Sequence, residues 1–203
     1  MPQTSNNSKN VSVGKGVKGG YMFVAPVGTP VPADNEAELD QAFMNVGYLG
    51  DSGVVFSDSS STSSYLDLNG EPIDSSATVE KSLTVTFREV KKDTLAVMLG
   101  GGNVTDEKGK LTAHDRGWPD EEWVAVFKLL LKNGRKWTRV ARRLKLSALG
   151  DMTHAYNSLA GRDATFAVLP DDETGDYYTD YYDSTETTAS EAMVSGARKK
   201  KGE

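Results

Sequence analysis

The sequence predicts a mainly β fold, a single β-sandwich or barrel-like domain with one short flanking helix and extended arms and loops. Two patterns carry this. Residues Thr78–Glu89 (Thr-Val-Glu-Lys-Ser-Leu-Thr-Val-Thr-Phe-Arg-Glu) alternate apolar and polar, the period of a strand with one buried face. Residues 122–132 and 135–146 are two long strand-like runs joined by Asn133-Gly134, a strong short signal for a tight hairpin. The 203 residues suffice for one sizeable core. Hydrophobic residues make up only 37%, and that deficit concentrates in segments rich in Ser, Thr and Gly rather than in the strand runs.

The expected elements follow in chain order. Residues 1–19 are polar and Gly/Lys-rich and read as a flexible arm. The domain is expected over 20–171. Tyr21–Ala25 is a short apolar strand, stopped by Pro26, Pro30 and Pro32. Asp34 is placed to cap a short helix over 35–43, with Glu36 and Glu38 near its positive end. Met44–Leu49 reads as a second strand. The serine tract 57–64 has no apolar residue with which to offset its ordering entropy, so 51–64 is expected to be a mobile loop. Tyr65–Leu68 followed by Asn69-Gly70 reads as a strand and tight turn.

In the 78–89 strand Val79, Leu83, Val85 and Phe87 share the apolar face, with Lys81 as the exception. Asp93 is placed to cap a helix over 94–99 that ends at Gly100-Gly101-Gly102. Asn103–His114 is expected to be a strand pair or loop. Along 123–131 the residues Trp123, Ala125, Phe127, Leu129 and Leu131 face one way. The opposite face (Val124, Val126, Lys128, Leu130) begins apolar and turns charged. Asp151–Tyr156 and Ala164–Leu169 are expected to complete the sheet, with 161–163 turning between them. From Asp172 the chain becomes acidic and aromatic, then Ser/Thr-rich, then basic (Arg198–Lys201), and reads as a flexible tail. Phe23, Val85, Phe87, Trp123, Phe127 and Leu129 are the expected core.

The chemistry the sequence excludes is as informative. There is no cysteine, so disulfides and thiolate metal sites are impossible. No apolar run reaches the roughly 18 residues that span a bilayer, and the N-terminal residues lack a signal-peptide apolar region, so folding in the cytoplasm is expected and no membrane partner is. Gly14-Lys-Gly-Val-Lys-Gly19 lacks the preceding strand and following helix of a phosphate-binding loop. The two histidines, His114 and His154, have no partners at ligand or catalytic spacing. Adjacent carboxylates such as Glu121-Glu122 point to opposite faces of a strand and make poor acid/base pairs. The sequence therefore predicts no enzyme, no cofactor and no metal.

The return strand of the hairpin is strongly basic: Arg135, Lys136, Arg139, Arg142, Arg143 and Lys145. These residues admit contact with a phosphate backbone, pairing with an acidic neighbour, or a solvated face. The chain is acidic overall, at net charge −6 and a pI of about 5.1, and only Trp137 interleaves the cations. Both facts favour the last two readings over nucleic-acid binding.

Val13–Asp34, with Ala25-Pro-Val-Gly-Thr-Pro-Val-Pro32 after the Gly-rich arm, resembles the N-terminus of the major tail proteins, or tail tube proteins, of long-tailed siphovirus-type bacteriophages. Leu39–Gly53, with Phe43, Gly47-Tyr-Leu-Gly50 and Asp51-Ser-Gly53, is similar to the segment that follows in that family. The 84–90 strand, the 94–99 helix and the Trp123 hairpin occur in the matching order. The resemblance spans about 11–169.

It implies a structural virion protein, assembled in the host cytoplasm into stacked rings, typically hexameric, that form the tail tube. Its implied partners are further copies of itself, a tape-measure protein and tail-tip or terminator proteins, with viral DNA passing through the lumen without sequence-specific binding. Under this reading Lys15, Lys18, Ser57, Asp58, Arg135, Arg139, Arg142, Arg143 and Lys145 are expected at subunit or ring contacts. The alternatives are a soluble nucleic-acid-binding β domain using 135–145, or a ring protein of a head–tail connector or secretion-type tube.

Overall fold

In a computed structural model the described residues are 15–17, 20–131, 134–152, 156 and 161–183, the side chains of 72, 74 and 75 excepted. The strands are β1 (Lys15–Gly16), β2 (Met22–Pro26), β3 (Met44–Asn45), β4 (Leu49–Leu66), β5 (Pro72–Phe87), β6 (Val104–Glu107), β7 (Lys110–Ala113), β8 (Glu122–Leu130), β9 (Lys136–Leu149), β10 (Arg162–Leu169) and β11 (Tyr178–Tyr182). One helix, α1 (Lys92–Leu99), lies between β5 and β6. Nine strands form one antiparallel sheet in the order β3-β2-β8-β9-β10-β5-β4, with β1 paired to β8 and β11 to β9. β6 and β7 form a separate hairpin.

The sheet rolls so that β4 comes up against β8 and the segment that leads into β2. Phe56 of β4 stands edge-on to Phe127 of β8, with ring centroids 5.2 Å apart, although three strands separate β4 and β8 along the ladder. The Leu49 amide donates to the Tyr21 hydroxyl at 2.5 Å and the Val46 amide to the Met22 carbonyl at 3.2 Å. The interior is a single cluster that includes Met22, Val24, Leu83, Val85, Phe87, Trp123, Phe127, Leu144, Phe166 and Val168, joined by Val97, Met98 and Leu99 of α1. Among the residues expected in the core, Val85, Phe87, Trp123 and Phe127 are buried. Phe23 and Leu129 are only half-buried, because Met22 and Val24 take the inward positions of β2 and Leu129 lies near the open end of β8.

The apolar start of the opposite β8 face also has its explanation. Val124 and Val126, with Ala25 and Val140, form a second cluster covered by Val31, Leu39, Phe43 and Tyr181. This region of the sheet is buried on both faces, so its strand reads as continuously hydrophobic. The covering segment is the one expected to hold a helix over 35–43, and no helix forms there. The Asp34 carboxylate does accept backbone N–H bonds, from Glu36 and Ala37 at 2.8 and 2.7 Å, but it closes a turn. Tertiary demand for an irregular strap overrides a weak helical preference.

Several other expectations are corrected. The serine tract 57–64 is not a loop: it lies within β4, paired residue for residue with Ser82–Ser75 of β5. Backbone pairing with a Thr- and Val-containing partner supplies what the serine side chains do not. The expected 44–49 strand divides into β3 and the start of β4, with Gly47 at a φ of 82° between them. Asp93 does not cap α1. The N-cap is Lys91, without a side-chain cap, and Asp93 sits in the first turn, favourable to the helix dipole. Asp151 and Met152 are outside any strand, because β9 already runs to Leu149. Arg162 and Asp163 belong to β10 rather than to a turn.

The segment from Asp172 to Asp183 is not a free tail, since it contains β11. In the 122–146 hairpin the Leu131 amide donates to the Arg135 carbonyl at 2.7 Å and Gly134 has a φ of 77°. Asn133 lies outside the described residues, as do 1–14 of the expected arm, Lys18, His154 and 184–203.

Phe127 fills the centre of the roll, so Phe127→Ala should cost about 3–5 kcal/mol of folding stability by urea denaturation. A loss within experimental error would mean that Phe127 does not carry the core.

Candidate assembly surfaces

Three features outside the core have the character of functional surfaces. They are the basic strand β9, the far half of the β4–β5 hairpin, and a cavity where the rolled sheet fails to close.

The cations of β9 pair with the chain's own acids. Arg139 donates from Nε and Nη2 to the two Asp180 carboxylate oxygens, both at 2.8 Å, a bidentate geometry. Its guanidinium carbon lies 4.5 Å from the Phe56 ring centre, 4.8 Å from that of Tyr178 and 5.2 Å from that of Trp137. Trp137 donates its indole N–H to the same Asp180 at 2.9 Å and stacks on Tyr182. The hydrogen bond to Asp180 holds the Arg139 pKa above its ordinary value. Burial pushes the Tyr178 hydroxyl up to about 12.

Arg143 bridges Glu122 at 2.9 Å and also Asp172. Lys145 pairs with Asp120 at 2.5 Å, and Lys136 with Glu36 at 2.6 Å. Arg142 lies 3.7 Å from Asp171 and 3.5 Å from the Thr179 hydroxyl. The acidic segment read from sequence as a loose tail is thus the counter-charge of the basic strand. An array neutralised in this way has little charge left to release counterions from a phosphate backbone.

The hairpin behaves differently. β10 accompanies β5 only as far as Val168↔Lys81. Beyond that point, from Asp58↔Lys81 to Leu66↔Pro72, β4 and β5 pair only with each other among the described residues. This two-stranded arm projects roughly 30 Å at about 3.4 Å per residue. Its root is braced: Lys81 pairs with Asp58 at 2.9 Å and lies over the Tyr177 and Tyr178 rings, and Phe56 meets Tyr178 edge-on.

Past the root, β4 is exposed on both faces. The faces differ in composition. Val79 and Ala77 continue the side that faces the core in the body of the sheet, beside Asp58, Ser60, Thr62 and Ser64, whereas Ser57, Ser59, Ser61 and Ser63 lie on the other with Glu80 and Thr78. The tip presents Leu66 and Tyr65 at 58% exposure, Ile73 at 70% and Leu68 fully exposed, around a turn in which the Asp67 carboxylate accepts the Asn69 and Glu71 amides.

The cavity, about 790 Å³, opens between the start of β4 and the Trp137 end of the β8–β9 hairpin. Tyr21, Val54, Phe56, Phe127, Leu129 and Trp137 line it. One rim is the loop at Gly47–Tyr48, tied down by Glu89, which accepts the Tyr48 amide at 2.8 Å and has its pKa lowered by that bond.

The residues expected at contacts are therefore scattered. Ser57 and Asp58 begin the arm, and Lys15 is exposed on β1 at the edge of β8. Arg139, Arg142, Arg143 and Lys145 make contacts within the chain. Sequence reasoning missed the apolar arm tip and β11. The Tyr-Thr-Asp-Tyr-Tyr run at 178–182, rich in residues favoured in strands and opposite in charge to 135–145, was the available signal for β11.

The sequence profile of the family described as "Phage tail tube protein" matches residues 4–189. The chain belongs to that family. It is a phage tail tube protein and hence a structural component of the virion tail, acting with other copies and other tail components in a tube. No curated protein matches the chain at a significant level. A structural match exists to a chain in the cryo-EM structure of an extracellular contractile injection system, the PVC sheath–tube complex in its extended state. It has 9% identity and a TM-score of 0.31, over 79% of this chain and 87% of that one.

In this tail tube protein the β9–β11 charge pairing sets two expectations. Asp180→Ala strands the half-buried Arg139 and should cost about 1.5–3 kcal/mol, with amides of 178–182 losing hydrogen-exchange protection before the rest of the sheet. Unchanged protection would show that the pair does not hold β11. The pKa of Asp120 is lowered by its hydrogen bond from Lys145, and that of Asp171 by the Thr174 and Glu173 amides. Their contribution is present above the ordinary carboxylate range near pH 4 and is lost as pH falls through the lowered folded values. The urea midpoint should therefore drop as the pH falls below about 4, and a flat profile there would contradict it.

Proposed function

We propose that the protein assembles into stacked, hexameric rings whose joined sheets form the tail tube of a long-tailed, siphovirus-type phage. The lumen is the conduit through which DNA enters the host. The observation that carries this reading is the β4–β5 arm. A two-stranded ribbon is marginal in water on its own, and this one leaves Val79 exposed along its length and Tyr65, Leu66, Leu68 and Ile73 exposed at its tip. Within a family whose members build a tube, the natural cover for that surface is another copy.

Ring assembly also meets a second need. The sheet ends at β4, whose outer edge is an 18-residue strand with no partner among the described residues. Joining sheets around a closed ring removes such edges. The tape-measure protein and the tail-tip or terminator proteins are the further partners in this reading, and assembly takes place in the host cytoplasm. The internal pairing of β9 argues against a nucleic-acid-binding domain that uses 135–145, and agrees with DNA passing through the lumen without specific contact. Neither a catalytic role nor a cofactor enters the proposal.

Electron microscopy of the concentrated protein should show hollow stacked rings of uniform diameter. Replacing residues 59–80 by a short turn should leave the far-UV circular dichroism of a folded β protein and abolish the stacks. Normal tubes from that variant would refute the role given to the arm.

A further inference from the structure

We infer that the cavity between β4 and the β8–β9 hairpin is the receptor for the arm tip of a neighbouring copy. The inference rests on the tube reading and assigns one of its contacts. The occupant has to match the cavity, and the tip does. The cavity is walled by Val54, Phe56, Phe127, Leu129 and Trp137, and Glu89 at its rim is already engaged with the Tyr48 amide and with Lys91 at 3.3 Å. Its volume of about 790 Å³ falls within the roughly 300–1,000 Å³ of pockets that enclose sizeable ligands. The tip presents Leu66, Leu68 and Ile73 as a compact apolar knob. The amides of its own turn, that of Glu71 foremost, keep the Asp67 carboxylate charged, so docking inserts the apolar side chains and leaves that group in water at the mouth.

The knob cannot enter its own cavity. Phe56, on the cavity wall, and Leu66, at the tip, lie on the same continuous strand, roughly 33 Å apart at about 3.3 Å per residue. The braced root, with Lys81 over Tyr177 and Tyr178 and Phe56 against Tyr178, keeps the ribbon from folding back. Occupancy is therefore in trans. Knob and socket lie at different places on one surface: a reciprocal exchange between two copies closes as a dimer, whereas each copy docking into the next makes a heterologous contact that propagates around a ring or along a stack. That is the connectivity a tube requires.

The absence of cysteine from the sequence makes a direct test clean. Leu68→Cys marks the knob, and Ser52→Cys marks the socket at an exposed lining position. Tyr48→Cys is a second socket site should Ser52→Cys disturb folding. Under mild oxidation at the concentration used for microscopy, Leu68→Cys/Ser52→Cys or Leu68→Cys/Tyr48→Cys should give a ladder of disulfide-linked oligomers. Neither single variant should do so. Leu68→Asp should lower the assembled fraction at least about tenfold with the monomer fold intact.

Tubes without a ladder from either pair would overturn the inference and leave the tube reading standing. Dimers from Leu68→Cys alone would overturn it by placing tip against tip. An intrachain bond between Ser52→Cys and Ser8→Cys would overturn it by giving the socket to the chain's own N-terminal segment. Monomers at every concentration, with no ladder, would overturn the inference and the tube reading together.

Discussion

The structure depends on how the five cations of β9 are held in the middle of a sheet. β9 has β8 on one side and β10 with β11 on the other, so its side chains are crowded and half-buried. Half-buried guanidinium groups require partners, because desolvation without compensation is costly. Asp180, Asp171, Asp172, Glu122 and Asp120 provide them. Because three of these five lie in 171–183, neutralising β9 also fastens the C-terminal strand. Arg139 is the hub of this arrangement: one bidentate carboxylate and three aromatic rings surround it, and those rings come from β4, β9 and β11. The same contact thus anchors β11 and braces the root of the arm.

Much of this was legible in the residues. The alternation Leu83, Val85, Phe87 against Ser82, Thr84, Thr86 stated the buried face of β5 correctly, because a half-buried strand leaves little choice of pattern. The β8–β9 hairpin was legible for a different reason, the Asn133-Gly134 pair between two long strand-like runs. The serine tract was not. Its side chains carry no periodic signal, and its strand state comes from backbone pairing with a partner some twenty residues away in sequence, which local composition does not report. The strap over 31–43 failed as a helix for the converse reason. Asp34 signalled a cap, but caps and turns use the same side-chain chemistry, and only the need to cover Val124 and Val126 distinguishes them.

For the assembly surfaces, composition identified the charges but not their direction. Six cations in twelve residues looked like an outward-facing array. Their partners stood elsewhere in the sequence, in a segment whose acidity alone suggested disorder. Read separately, each half resembles a solvated surface; read together, they are complementary. The arm tip was hidden by its own modesty, since Leu66, Leu68 and Ile73 around a polar turn look like any strand end until the ribbon is seen to project beyond the body of the sheet.

The serine-rich ribbon also bears on when copies join. Small hydroxyl side chains bury little apolar area, so one neighbour gains only modestly from covering the ribbon, while the ribbon loses mobility on docking. In the stacked rings proposed above, an incoming molecule would be retained where several weak contacts are offered at once, as at the rim of an existing stack, and would escape from a chance encounter in solution, so that growth would be slow to start and quick to extend.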